Sequence, residues 1–277
     1  MRSERNPVVP FAVAAAASIA AYRARALSAD GALASTAVGG AIVSGAGFPG
    51  ATALTAFFAS STALGRLPRA NGSPQRRGNE RDAVQVLANG GVAAVLAVAM
   101  TSQSSRAHPL LLAGFGGALA AAAADTWATE IGARASARPR SILTGRPVPV
   151  GTSGGVSLAG LLASAAGAAS VAMAVAASAR HGKTPVPSPL PAVALGGICG
   201  ALADSILGAS VQEVRYCESC GEETESLRHR CGHPTTVVRG IPGFDNDVVN
   251  LAATLVGATT AAMIARSTPT HAAAAER

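Results

Sequence analysis

Apolar runs of near-spanning length alternate with short polar segments along almost the whole chain. Eight are legible, at residues 7–22, 31–48, 50–65, 83–101, 108–131, 155–179, 190–211 and 248–265. A helix needs about 20 predominantly apolar residues to cross the ~30 Å hydrocarbon layer, and runs this long are helical rather than β. The pattern predicts an all-α, polytopic helical membrane protein of about 8 spans, with 6–8 compatible with the run lengths. The first run follows Arg2 and Arg5 as a signal peptide would, but it has no convincing cleavage site and Arg23 and Arg25 follow at once. Gly47, Phe48 and Pro49 separate the second run from the third, which makes the pair a tight hairpin or one broken re-entrant element.

Composition sharpens this picture. Only 13% of residues are charged, against about 25% in soluble domains. That excludes a disordered chain and most water-soluble enzymes of this size. Aromatic residues make up 3% while glycines number 31, so the spans are expected to pack through small side chains that let backbones approach closely. The net charge of +7 does not indicate nucleic acid, because the basic residues sit in short loops and form no helical stripe. With eight spans, 15 of the 22 Lys and Arg fall in the 1–2, 3–4, 5–6 and 7–8 loops. By the positive-inside rule that side is cytoplasmic, in the cell (inner) membrane, with both termini outside. All the acids except Glu4 and Glu276 lie on or near the same side. Such asymmetry favours chemistry at the membrane surface over transport through a midplane site. The expected organisation is a single transmembrane domain over 1–266, a cytoplasmic loop at 212–247 within it, and a disordered tail at 267–277.

Several stretches carry candidate chemistry. In Asp125-Thr-Trp-Ala-Thr-Glu130-Ile-Gly132, two acids end an apolar run. They form a solvated helix end beside an interfacial Trp127, or they bind a metal or substrate. Asp204-Ser205 repeats the setting after another small-residue run, and carboxylates delivered by two parallel helices to one depth suit Mg²⁺. Gly151-Thr-Ser-Gly-Gly155, near Arg140 and Arg146, reads as a capped flexible loop or as an anion cradle before a helix. The arginines from Arg66 to Arg81, Arg77 among them, are positive-inside charge or receptors for anionic headgroups and phosphates. Gln85 and Asn89 share a face of the next span, where buried amides glue helices together or line a site. Asp245, Asn246, Asp247 and Asn250 crowd the entry to the last span beyond what capping needs.

Cys217-Glu-Ser-Cys220 followed by Cys231-Gly-His233 supplies four ligands of the structural zinc kind, with His229 as the alternate to His233. A redox pair and free thiols are the competing readings. Cys199, inside a span, is read as packing.

Five ordered motifs, Arg81-Asp-Ala-Val-Gln-Val-Leu-Ala-Asn-Gly-Gly91, Asp125 to Gly132, Gly151-Thr-Ser-Gly-Gly-Val156, Ala203-Asp-Ser205 and Asn246-Asp-Val-Val-Asn250, resemble the integral-membrane family known as domain of unknown function 92. That family, which contains transmembrane protein 19, includes a plant phytyl-phosphate kinase. The resemblance covers about residues 30–265 and leaves the cysteine loop outside it. It implies a membrane kinase that moves a phosphoryl group from CTP or ATP to an isoprenyl monophosphate, giving the diphosphate. On that reading Asp125, Glu130, Asp204 and Asp247 are catalytic, and Asp125, Asp204 and Asp247 hold Mg²⁺. Arg77, Arg81, Asn89, Arg146, Gly151, Thr152, Ser153, Gly154, Gly155, Asn246 and Asn250 would bind substrate and phosphate. The implied partners are the bilayer, an isoprenyl phosphate and a nucleoside triphosphate. A CTP-dependent polyprenol kinase or lipid cytidylyltransferase and a transporter of lipids or small solutes are the alternatives.

Overall fold

The computed structural model describes residues 8–68, 80–102, 108–179 and 189–268. The helices are α1 (Val8–Arg23), α2 (Ala29–Arg66), α3 (Ala83–Ser102), α4 (His108–Gly132), α5 (Leu158–Ala179), α6 (Leu190–Ser210) and α7 (Asn246–Ser267). Among the described residues, six of them, α2 to α7, are long and apolar enough to cross a membrane, whereas the 16-residue α1 is shorter.

The eight expected runs become seven helices because the second and third are continuous through Gly47, whose φ of 59° and ψ of −137° break the helical path. A straight helix of these 38 residues would be about 57 Å long. Yet Arg66 Nη2, at its last residue, donates to Ala24 O at 2.8 Å, just before its first. A Cβ built on Gly39 would likewise lie 3.6 Å from Leu54 Cδ2. The element therefore folds back on itself as two antiparallel arms. Gly47 supplies the left-handed φ that a side chain would resist, and Pro49 cannot continue the hydrogen-bond ladder of the first arm.

Counted as arms, the loops at residues 24–28, 133–157 and 211–245 emerge at one end of the bundle, together with the last residues of α2 and the first of α3. Contacts along that end confirm this. Arg134 Nη2 donates to Leu64 O at 2.9 Å, Arg81 N to Ala26 O at 3.1 Å, and Arg239 Nη1 to Ala209 O at 2.8 Å.

The bundle is built around α4. Every residue from Leu112 to Ala124 is buried, so this helix is apolar all round and surrounded by others. Close approach depends on glycine: a Cβ on Gly257 of α7 would meet Gly117 O of α4 at 2.6 Å, and one on Gly196 of α6 would meet Gly257 O at 2.6 Å. Three backbones are thus stacked at small-residue distance, as lipid-embedded packing favours.

Two small β elements sit at the loop end. Strands β1 (Arg140–Ser141) and β2 (Gly155–Val156) pair antiparallel. Strands β3 (Val214–Cys217), β4 (Glu222–Thr224) and β5 (Thr236–Arg239) form a sheet in the order β4-β3-β5, with a register shift between Val214 and Arg215. The sixth expected run, 155–179, consequently starts three residues late. Gly155 and Val156 are strand, and Ser157 Oγ accepts from Gly160 N at 3.1 Å at the start of α5.

Candidate functional site

The loop end of the bundle encloses a cavity of about 1430 Å³. Its walls collect Arg81, Gln85 and Asn89 from the α3 entry, Asp125 and Glu130 from α4, Gly151 to Gly155, Asp204 from α6, and Asn246 and Asn250 from α7. Stretches more than a hundred residues apart in sequence are thereby brought to one place.

Asp125 and Asp204 are the centre of it. Helices α4 and α6 run parallel, and the two carboxyls are within hydrogen-bonding reach of each other. Asp204 Oδ2 is buried and accepts no hydrogen bond. A carboxylate oxygen in that state is expensive unless a cation compensates it, so this pair fits a hard divalent ion with oxygen ligands.

Glu130 lines the same cavity nearer its rim, and its carboxylate is engaged by Arg134 Nη1 at 2.9 Å. Trp127, between the two acids, is half-buried. Its Nε1 donates to Ser60 Oγ at 3.1 Å and ties α4 to the second arm of α2.

Arg81 is fixed by its own backbone. Its carbonyl accepts from Ser28 N at 3.1 Å and from Ser28 Oγ at 3.2 Å, and a Cβ at Gly31 would collide with that carbonyl. The guanidinium lies 5.7 Å from the Phe58 ring centroid, a cation–π distance. Asp82 and Gln85 form a reciprocal cap at the start of α3, with Gln85 N donating to Asp82 Oδ1 at 2.9 Å. Asn89 Nδ2 donates to Gln85 O at 3.0 Å.

The glycine loop differs from the expected cradle on a helix tip. Gly151 and Gly154 take φ of 86° and 77°. Thr152 N donates to Pro149 O and Gly155 N to Thr152 O, so two of the five amides are used within the loop. It is pressed onto the end of α6, where a Cβ at Gly154 would meet Ala209 N at 2.6 Å.

Two expected residues stand elsewhere. Arg146 is exposed and is not among the cavity's lining residues. Asp247 is buried beside Asn246 but is likewise not part of the lining. The helix cap there is Asp245, whose Oδ1 accepts from Asp247 N at 2.9 Å and from Val248 N at 3.1 Å. Arg77 lies outside the described residues. Cys199 is exposed rather than packed.

The metal-ligand set in the 212–247 loop is corrected in one member. Ligand atoms of Cys217, Cys220, His229 and Cys231 lie within 4.8 Å of one another, a cluster able to hold a metal ion. The alternate His229 therefore takes the place assigned to His233. The reason is local. His229 is buried with Nδ1 3.2 Å from Cys231 Sγ, and its Nε2 faces Glu222 Oε2 at 3.3 Å. A carboxylate on the far imidazole nitrogen is the usual support for a metal-bound histidine. His233 is exposed, at 3.4 Å from the same sulfur. Hydrogen bonding from the His233 backbone, then from the His229 and His233 side chains, holds the Cys231 thiol down at about 5. The neighbouring Cys220 is pushed up to about 12, chiefly by its hydrogen bond with Cys231. A thiolate preformed at Cys231 suits metal capture.

Sequence reasoning missed Glu222, Glu223, Glu225 and Gln212 as cavity-lining residues. The dense acids beside the Cys-x₂-Cys knuckle were the available signal, but they read as part of the loop.

A family model described as Integral membrane protein DUF92 matches residues 12–258. Protein PGR of Arabidopsis thaliana is 34% identical over 240 residues, an alignment covering 76% of this chain and 80% of that protein. No solved structure matches the chain.

Proposed function

The chain belongs to the DUF92 family of integral membrane proteins, and from that premise we propose that it is a membrane kinase converting an isoprenyl monophosphate of the phytyl type to the diphosphate with CTP or ATP. The observation that carries this reading is a second, apolar cavity of about 300 Å³ between α1, the arms of α2 and α3. It is walled by residues such as Val13, Val38, Leu54 and Phe57, and shares Arg81, Gln85, Asn89 and Thr126 with the polar cavity. A polar chamber opening through an arginine into an apolar slot suits an amphiphile with an anionic head. The larger chamber exceeds the roughly 300–1,000 Å³ of a typical single-ligand pocket, which leaves room for a nucleotide beside the acceptor head.

In this mechanism Asp125 and Asp204 would hold Mg²⁺, which would supply charge neutralisation to the donor phosphates. The Gly151–Gly155 loop orients the donor chain, and Arg81 seats the acceptor phosphate where the apolar slot meets the chamber. Asn89 and Asn250 direct hydrogen bonds at phosphate oxygens. An acceptor phosphate oxygen then bonds the γ-phosphorus while the bond to the β–γ bridging oxygen breaks, releasing the nucleoside diphosphate. The nucleophile is already anionic, so positioning and charge stabilisation suffice and no strong base is required. The cavity would face the cytoplasm of the cell membrane, as its basic loops indicate. Zinc in the Cys/His cluster would be structural, since four protein ligands leave no open position.

The test is a nucleotide-by-acceptor assay on detergent-purified protein with phytyl or geranylgeranyl phosphate, read by product mass. A diphosphate product that disappears in Asp125→Asn is expected. A cytidylyl adduct would replace the kinase reading with nucleotidyl transfer. Flux of the lipid in sealed vesicles without turnover would replace it with transport.

A further inference from the structure

The Cys/His cluster and the membrane cavity are joined through β4. Its first residue, Glu222, pairs with His229 at the cluster and also lines the cavity. Beyond its last residue, Glu225 reaches the cavity wall and lies within electrostatic range of both Asp125 and Asp204. The Glu225 carboxylate is steered there, since its Oε1 accepts from Gln212 Nε2 at 3.2 Å. Gln212 is itself 2% exposed, and its backbone N donates to Leu207 O at the end of α6, the helix that carries Asp204.

Three carboxylates thus line one cavity, and one of them, Asp204, has a buried Oδ2 that accepts no hydrogen bond. Like charges so placed repel, and either a proton shared between two of them or a cation among all three relieves the repulsion. What holds the third in position is slender. Among the described residues, strand β4 is an edge strand bonded to β3 alone, through the pairs Arg215↔Thr224, Tyr216↔Glu223 and Cys217↔Glu222. A hairpin this short is marginal in isolation. The cluster clamps it at both ends of the turn, through Cys217 and Cys220, and ties it to the following segment through His229 and Cys231.

We propose that Glu225 is a third carboxylate ligand of the divalent cation held by Asp125 and Asp204, and that metal loading of the Cys217/Cys220/His229/Cys231 cluster positions it. This rests on the reading of Asp125 and Asp204 as cation ligands. The cluster is then more than a fastener for its own loop: it sets the affinity of the cavity for its ion.

Direct binding of Mn²⁺ to the full-length, detergent-purified protein, followed by electron paramagnetic resonance alongside zinc content, tests this. Glu225→Gln is expected to weaken Mn²⁺ binding about 10–100-fold with zinc content unchanged, and Glu225→Asp to recover part of the loss. Cys220→Ser combined with Cys231→Ser is expected to lose zinc and weaken Mn²⁺ binding to a similar degree. Adding Glu225→Gln to that background should change little further. Chelating zinc from the folded wild-type protein gives the same comparison without relying on the cysteine variant to fold. Wild-type Mn²⁺ affinity in Glu225→Gln, with binding abolished in Asp125→Asn, would overturn the role of Glu225 while leaving the cavity reading intact. Wild-type Mn²⁺ affinity in the zinc-free protein would overturn the coupling. Absence of Mn²⁺ binding in the wild type, or its survival in Asp125→Asn, would overturn both this inference and the cation site beneath it.

Discussion

Gly200→Ala probes the packing that brings the two central carboxylates together. Gly200 lies one turn before Asp204 on α6, and Ala121 lies one turn before Asp125 on α4. A methyl group at Gly200 would fall against Ala121 Cβ and come within 2.7 Å of Ala253 O and 3.4 Å of Gly257 Cα. Carbon contacts settle at about 3.5–4.0 Å, so α6 must retreat from α4 and α7 by about 1 Å. Overpacking of this kind costs about 1–3 kcal/mol, up to roughly a hundredfold in the folding equilibrium. The larger consequence is at the site, because the retreat is applied one turn below the Asp125–Asp204 pair. A displacement of about 1 Å typically lowers turnover about a hundredfold. The assay is thermal unfolding in detergent, Mn²⁺ affinity and turnover measured on one preparation, with Gly91→Ala as control because nothing lies within 4 Å of a Cβ there. Lowered melting temperature with weakened cation binding in Gly200→Ala, and neither in Gly91→Ala, is expected. A Gly200→Ala protein that melts and binds like the wild type would refute close contact of the helices at this turn.

Two further predictions concern the loop end of the bundle. Arg134 donates to Leu64 O, Leu67 O and Pro68 O at the end of α2 while pairing with Glu130. Arg134→Ala should therefore destabilise the protein by about 1.5–3 kcal/mol, and Arg134→Lys should not restore it, because an ammonium cannot reproduce the fork. Full recovery of the melting temperature by lysine would count against the multi-carbonyl clamp. Glu213 is held below its ordinary value of 4.5, first by the Gly243 N–H and then by Arg215. A depressed acid stabilises the fold above its unfolded value and loses that contribution as pH falls through the folded one. Amide protection across residues 236–244, corrected for the intrinsic exchange rate at each pH, should therefore hold at neutral pH and fall only below the ordinary glutamate range. A fall in that corrected protection between pH 7 and 6 would contradict the assignment.

Much of the site was legible because its residues violate the pattern around them. Asp125 and Asp204 are acids ending apolar runs, and in lipid such groups need a wet cavity, an interface or an ion. The same logic singled out Asn89, Asn246 and Asn250, and all of them line the cavity. Asp247 and Arg146 sit in equally suggestive company, yet they are not among the residues that line the cavity. A polar residue near the end of a span announces that it is unusual, but its direction depends on helix rotation, which packing sets. His229 and His233 show the same limit. Both stand two residues from Cys231, and only the fold of the loop buries one and leaves the other exposed.

Hydrophobic run lengths, small-residue content and the placement of charge determined by themselves that this chain is a helical membrane protein with its polar groups at one end. Those properties follow from what each segment must do alone in a bilayer, where its backbone has to be satisfied internally. Tertiary structure decided what no segment fixes alone. It turned α2 back at Gly47, pressed the glycine loop onto the end of α6, and brought Glu225, just past β4, into the wall of the cavity that Asp125 and Asp204 also line. The side chains at that meeting point come from positions far apart in the chain. Their convergence rests on backbone approaches at Gly117, Gly196, Gly200 and Gly257, which local patterns mark as small without saying what they touch.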